Sequence, residues 1–291
     1  MVKRCAFVDG LLKIEEKIDI AFPVLHGPFG EDGAIQGLFE IAGIPYVGAG
    51  VGASAVCMDK ILMKSVFIKY QIPTPRFGYY LRRSWQRDKN TIKNDLLREI
   101  GFPCFVKPSN TGSSVGITKV KSMQEFDNAF ELAAEYDRKI VVEQAVDARE
   151  IECSVLGNDD PEVSVPGEII PSREFYDYDA KYIDETSKLI IPAELNSETA
   201  QTIRGLAVEA YKAVDCSGMA RVDFLLDRNA EKVYVNELNT LPGFTDISMY
   251  PKLWEESGLS YGNLITKLID FGFERFEDKS QCNTSYRLLK G

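Results

Sequence analysis

Two stretches near the C-terminal end constrain the fold most. GMARVDFLLD (218–227) is followed at once by EKVYVNELN (231–239). Both carry the β-rich alternation of strands, and the residues Asp227–Ala230 between them read as a hairpin-like turn. Side chains alternate faces along a strand, so Arg221 and Asp223 share one face, as do Glu237 and Asn239. Carboxylates at the ends of apolar strands are costly unless paired or metal-bound. If the two strands pair, oxygen ligands from Asp223, Glu237 and Asn239 converge, a set that suits Mg²⁺ together with substrate phosphates. A solvated sheet face is the competing reading. Arg221 either neutralises these carboxylates or reaches a transferring phosphoryl group.

Charge narrows the partners. Lys and Arg number 34 against 44 Asp and Glu, a net charge of −10. A broad nucleic-acid surface needs a positive field and is excluded; nucleotide binding needs only a local lysine or two. The length of 291 residues predicts two domains or three small ones. The six cysteines, Cys5, Cys57, Cys104, Cys153, Cys216 and Cys282, stand singly and are too sparse for a disulfide framework. No apolar run is long enough to span a bilayer, and the first 25 residues lack a secretory apolar region. A cytoplasmic protein is expected.

The rest of the chain has an α/β rhythm. Residues 18–25 read as a buried strand entering the loop HGPFG, and Ile35, Leu38, Phe39 and Ala42 have helical spacing. A short strand is expected at 44–47 and a helix over 51–70. Pro73 and Pro75 fix an extended connector that suits a domain boundary. Strands are expected at 102–107, 139–143 and 149–157, and helices at 123–136, 197–213 and 259–274. Residues 171–188 read as a long surface loop and 276–291 as a frayed tail.

Other chemistry-bearing residues are weaker signals one by one. Lys60 lies in the mostly apolar CMDKILMK, and Lys107 ends an apolar strand. Each alone reads equally as a snorkelling lysine; beside a metal site they become phosphate ligands. The run Asn110–Gly116 is rich in glycine and serine, so its backbone N–H groups can approach phosphate, though a tight turn fits as well. Glu143 and Glu150 can accept hydrogen bonds from amino or ribose groups or stay surface glutamates. His26 is the only histidine, which rules out a three-histidine zinc site and HExxH; a substrate contact and a capped loop histidine both remain open.

Taken together, several stretches in one order resemble the D-alanine–D-alanine ligases of the ATP-grasp superfamily over residues 18–272. They are FPVLHGPFGEDGAIQGLFEIAGIPYVG (22–48), SAVCMDK (54–60), FVKPSNTGSSVGI (105–117), VVEQ…E (141–150), FYDYDAKY (175–182), GMARVDF (218–224), NELNTLPGFT (236–245) and SMYPKLW (248–254). The resemblance implies an α/β protein with an α+β ATP-grasp part: a truncated Rossmann-like N-terminal domain, then two ATP-grasp subdomains with the nucleotide between them. The implied divisions are 1–72, 73–144, 145–275 and a tail, 276–291.

It further implies ATP-dependent joining of two D-alanines through a D-alanyl phosphate, for peptidoglycan precursors. Lys60 and Lys107 match phosphate-contacting lysines, and Glu143 and Glu150 match glutamates on the adenine and ribose side. Asp223, Glu237 and Asn239 match the ligands of two Mg²⁺ ions, for which Mn²⁺ can stand in. Arg221 matches the arginine that stabilises the transferring phosphoryl group, and the Gly243 N–H matches an oxyanion donor. Ser113 and Tyr182 match a pair that ties a lid over the site. Ser248 matches a carboxylate-binding residue for the second substrate, His26 a substrate contact, and Met249 an apolar neighbour for the D-alanine methyl, favouring D-alanine over D-serine or D-lactate. The expected partners are D-alanine and ATP, with no nucleic acid or membrane span, and a homodimer is the expected assembly. The family's opening GG-x-S-x-E pattern is not found before His26. The resemblance therefore implies that the first strands of the N-terminal sheet are missing here, with ATP binding kept and ligase activity reduced.

Overall fold

The computed structural model describes the backbone of residues 5–8 and 11–14, and residues 18–112, 115–170, 188–245 and 247–283 in full. The chain opens with an antiparallel pair, β1 (Cys5–Val8) and β2 (Leu11–Ile14). Three helices follow: α1 (Ala34–Ala42), α2 (Val51–Met58) and α3 (Lys60–Lys69). Next come β3 (Phe77–Leu81), α4 (Arg82–Arg87), α5 (Lys89–Glu99), β4 (Cys104–Pro108), β5 (Thr118–Val120), α6 (Met123–Tyr136) and β6 (Lys139–Gln144). The four strands form one antiparallel sheet in the order β3-β6-β4-β5.

A second antiparallel sheet follows from β7 (Ala148–Gly157), β8 (Glu162–Val163), β9 (Gly167–Ile170), β10 (Lys188–Ile190), β11 (Gly218–Asp227) and β12 (Val233–Asn239). Its order is β10-β9-β7-β11-β12, with β8 paired to β7. Helix α7 (Ser197–Ala213) precedes β11, and α8 (Met249–Glu256) and α9 (Tyr261–Ser280) follow β12.

Each sheet is built around its own core. Helix α6 turns Phe126, Ala129, Phe130 and Ala133 inward, and they pack with Trp85, Leu96, Val106 and Val142 against the first sheet. Helix α7 lays Ile203, Ala207 and Tyr211 on Val222, Phe224, Val235, Ile151 and Cys153 of the second. The opposite face of that sheet is apolar only towards one end. There Leu156 and Met219 meet Tyr250 and Trp254 of α8 and Leu264 and Leu268 of α9. Cys57, Cys104, Cys153 and Cys216 are buried free thiols.

Four sequence expectations change. Residues 18–25 and 44–47 form no strands; they share one parallel bridge, Ala21 to Tyr46. Pro23 has no N–H to continue a ladder, and Val24 and Leu25 are exposed. The helix expected over 51–70 is two, because Asp59 is extended (φ −87°, ψ 100°) and accepts from the Ile61 and Leu62 N–H groups, ending α2 and capping α3. SMYPKLW lies mostly in α8, a helix the sequence reading left unassigned. Residues 276–280 belong to α9 and not to a frayed tail. Among the described residues, no helix is long and apolar enough to cross a membrane.

Candidate active site

The polar end of the second sheet holds one cluster. Ala220, Val222 and Phe224 of β11 face the α7 core. Alternation therefore puts Arg221 and Asp223 on the other face. Register places Arg221 opposite Asn239 and Asp223 opposite Glu237, with an irregularity after Asp223. On the other side β7 places Glu152 opposite Asp223. Glu150 stands two residues earlier on that same face, opposite Leu225. The hairpin thus brings Asp223, Glu237 and Asn239 together, as the alternation predicts.

Arg221 takes the neutralising position. Its Nε and Nη2 donate to the two Asp223 oxygens at 2.7 and 2.8 Å, and Nε lies 3.0 Å from Glu152 Oε2. Burial works against its charge, but Asp223 and Glu152 overcome this and hold it firmly protonated. Asn239 Nδ2 donates to Asp223 Oδ2 at 3.0 Å. The donor set is all oxygen: two carboxylates and the Asn239 amide. Among the described residues no three His, Cys, Asp or Glu side chains gather as a metal-binding group. The set fits a hard cation that completes its shell with water and phosphate, and Asp223 would then be shared with Arg221.

The lysines arrive from other elements. Lys60 opens α3; its Nζ donates to the Thr111 carbonyl at 2.7 Å and lies 3.9 Å from Glu237 Oε2. It thus links the glycine- and serine-rich run to the carboxylate face. Lys107 of β4 donates to Glu143 Oε2 at 2.6 Å. Glu143 is 1% exposed. Burial would raise its pKa, but Lys107 and Lys64 outweigh this and hold it below the usual glutamate range.

His26 lies in the loop before α1, with Nδ1 4.0 Å from Glu31 Oε1. A Cβ on Gly112 would sit 3.9 Å from Glu31 Oε2, so Glu31 also adjoins the glycine-rich run. Glu31 accepts from the Gly27 N–H at 2.5 Å, and Gln36, fully buried, donates to the Gly30 carbonyl. Gly27 has φ +77°, the left-handed turn this loop needs. The neighbouring Glu31 carboxylate raises the His26 pKa above its ordinary value, against an opposing effect of burial. A raised folded-state value means that the pair's contribution to stability is complete below the unfolded pKa and fades as pH rises through the folded one. As the sole histidine, His26 gives unambiguous imidazole NMR signals. Its midpoint is expected above that of an unfolded reference and to drop in Glu31→Gln; an unchanged midpoint in the variant would show that Glu31 does not set it.

The turn after β12 is close-packed. A Cβ on Gly243 would sit 2.6 Å from Ser248 Oγ, so any side chain there would have to displace that hydroxyl. Ser248 Oγ accepts from the Thr245 N–H at 3.0 Å. Helix α8, which begins after Ser248, is pinned to β7 through Ser154 Oγ to the Tyr250 carbonyl and Tyr250 O–H to the Val155 carbonyl, both at 3.0 Å.

Met249, the first residue of α8, is 5% exposed and packs with Ile169 and Leu253 over Gly167. The first turn of α8 rotates it towards β9. Ser113 and Tyr182 lie outside the described residues. Lys64, Glu152, Asp59 and Glu31 were missed by the sequence reading. The only signals they offer are a lysine four residues after Lys60, an acidic residue on the Glu150 face, an Asp before a helix start, and an acid close to the lone histidine.

Two family models match the chain: "D-ala D-ala ligase N-terminus" over residues 7–49 and "D-ala D-ala ligase C-terminus" over 66–270. The D-alanine–D-alanine ligase of Acetivibrio thermocellus is 57% identical over 263 residues, 90% of this chain and 70% of that protein. The one from Heliobacterium modesticaldum is 52% identical over 271 residues, covering 93% and 74%. Among solved structures, the D-alanine-D-alanine ligase from Coxiella burnetii matches with TM-score 0.83 at 40% identity, over 96% of this chain and 76% of that one. The VanG D-Ala:D-Ser ligase from Enterococcus faecalis matches with TM-score 0.80 at 41% identity, over 88% and 74%.

Proposed function

The chain belongs to the D-alanine–D-alanine ligase family, and from that premise we propose that it joins two D-alanines at the expense of ATP, supplying the dipeptide for peptidoglycan precursors. One observation carries the reading: three cations from three elements, Lys60, Lys107 and Arg221, are each held beside a carboxylate of the face that bears Asp223 and Glu237 or of the buried Glu143.

A carboxylate does not react with an amine until it carries a leaving group. Transfer of the ATP γ-phosphoryl to the first D-alanine provides one, and attack by the second D-alanine's amine expels phosphate. Lys60, next to the glycine-rich run, is placed to hold phosphate oxygens. Lys107 does the same once it turns from Glu143. Arg221 keeps its charge at all working pH values and faces the charge that develops on the phosphoryl group. Asp223, Glu237 and Asn239 would hold Mg²⁺; bound there, the ion would neutralise phosphate charge. Glu143 and Glu150 line the adenine and ribose side. His26 and Ser248 bind substrate carboxylate or amine groups, and the tight turn at Gly243 aims its N–H at the developing oxyanion. Ser113 and Tyr182 belong to the lid in this reading. The reading also places the enzyme in the cytoplasm, where ATP is available, and takes a homodimer as its assembly.

The test is phosphate release from ATP and Mg²⁺ with and without D-alanine, alongside mass spectrometry for the dipeptide. Release that rises with D-alanine, with D-alanyl-D-alanine formed, is the expected result. Phosphate release indifferent to D-alanine would overturn the reading.

A further inference from the structure

Lys64 is the most enclosed cation in the described part of the chain. It is 1% exposed, in the middle of α3, one helical turn after Lys60 and on the same side of the helix. Its Nζ donates to Glu143 Oε1 at 2.5 Å, to Thr74 Oγ1 at 3.1 Å and to the Asn236 carbonyl at 3.2 Å. Those partners come from β6 of the first sheet, the proline-flanked connector and β12 of the second. Asn236 immediately precedes Glu237. The connector is also tied to β12 directly, through the Val235 N–H and the Pro73 carbonyl at 2.8 Å. One ammonium thus joins the helix of Lys60, the strand of Glu143 and the strand of Glu237.

The Glu143 carboxylate is divided between two lysines: Lys64 on Oε1 and Lys107 on Oε2 at 2.6 Å. They differ in freedom, since the Lys64 side chain is 2% exposed and that of Lys107 is 13%. A buried carboxylate stripped of every cation is strongly disfavoured. If Lys107 alone compensated Glu143, turning its ammonium to a phosphate would leave that charge bare. A core filler at this position needs no charge: methionine matches the length without desolvating an ammonium.

Resting on the ligase reading, we propose that Lys64 is a positioning residue of the nucleotide site. It holds the Glu143 carboxylate and the backbone beside Glu237 in place, and so frees Lys107 to turn from Glu143 to nucleotide phosphate. Lys64 touches no reacting group; it acts through the residues it holds.

The experiment is calorimetric titration of the full chain with ATP and Mg²⁺, in wild type and K64M, with steady-state KM values for ATP and D-alanine alongside. The expected result is ATP affinity weakened tenfold or more and KM for ATP raised in step, with KM for D-alanine within twofold of wild type. The double variant K64M/E143Q, which removes the stranded charge as well, is expected to regain melting temperature without regaining ATP affinity. Should K64M not fold, T74V removes one acceptor at the connector and is expected to weaken ATP by two- to threefold. A K64M or T74V protein that melts lower but binds ATP as wild type does would overturn the proposal and leave Lys64 a packing residue. A wild-type chain that does not bind ATP would overturn both this proposal and the ligase reading, so the two failures are told apart.

Discussion

Arg221→Met is expected to lower kcat about a thousandfold, the range seen when a cation facing a transferring phosphoryl group is removed. KM for ATP is expected to move far less, because Lys60 and Lys107 remain. The same change strips the cation from Asp223 and Glu152, which Arg221 contacts at 2.7 and 3.0 Å. Breaking a buried ion pair by removing one partner costs about 3 kcal/mol, so the variant is also expected to unfold at lower denaturant. Arg221→Lys separates the two effects. Lysine keeps one positive charge and one contact at a time but loses the two-pronged grip on Asp223. It is therefore expected to recover most of the stability and only part of kcat. Steady-state kinetics and urea unfolding of both variants check this. If Arg221→Met keeps kcat within tenfold of wild type, Arg221 is an internal counterion and not a participant in phosphoryl transfer.

The second large effect is expected at Asp59, which no resemblance singled out. Its carboxylate caps α3 through the Ile61 and Leu62 N–H groups, accepts from Ser109 Oγ at 2.6 Å, and pairs with Lys139 at the start of β6. The next residue, Lys60, donates its N–H to the Ser109 carbonyl at 3.0 Å. Asp59 thus fastens the lysine-bearing helix to the first sheet. Losing a cap costs about 1 kcal/mol. Leaving a buried hydroxyl and the lysine without their shared acceptor brings the total for Asp59→Ala to about 3 kcal/mol. At this chain length that corresponds to a melting temperature lower by roughly 5 °C. Lys60 loses its anchor at the same time, so KM for ATP is expected to rise about tenfold, from roughly 1.4 kcal/mol of lost phosphate binding. Asp59→Asn keeps the capping oxygen and discards the charge. It is expected to retain helix stability while losing the Lys139 pair, which a thermal melt and an ATP titration resolve. An Asp59→Ala protein with wild-type ATP affinity would show that the tether does not position Lys60.

Much of the second sheet was legible from local pattern. The alternation in GMARVDFLLD and VYVNELN put Val222 and Phe224 on one face and Arg221 and Asp223 on the other, and the short turn between the strands fixed their register well enough to pair Asp223 with Glu237. The spacing of Phe126, Ala129, Phe130 and Ala133 likewise told which side of α6 is buried. The same reasoning failed at residues 18–25, where an apolar run reads as a strand but, among the described residues, makes only a single bridge, and Pro23 has no N–H to extend it.

By itself the sequence determined the β11–β12 hairpin, the inner and outer faces of those strands and of α6, and which short motifs carry oxygen donors and cations. These depend on period and turn chemistry within about ten residues. The tertiary structure alone decided which charge answers which. Lys64 meets Glu143 across 79 positions and the Asn236 carbonyl across 172, and Asp59 meets Lys139 across 80. No local pattern records such pairings. They arise because burial makes a lone charge so costly that each must find its partner wherever chain crossing brings one within reach.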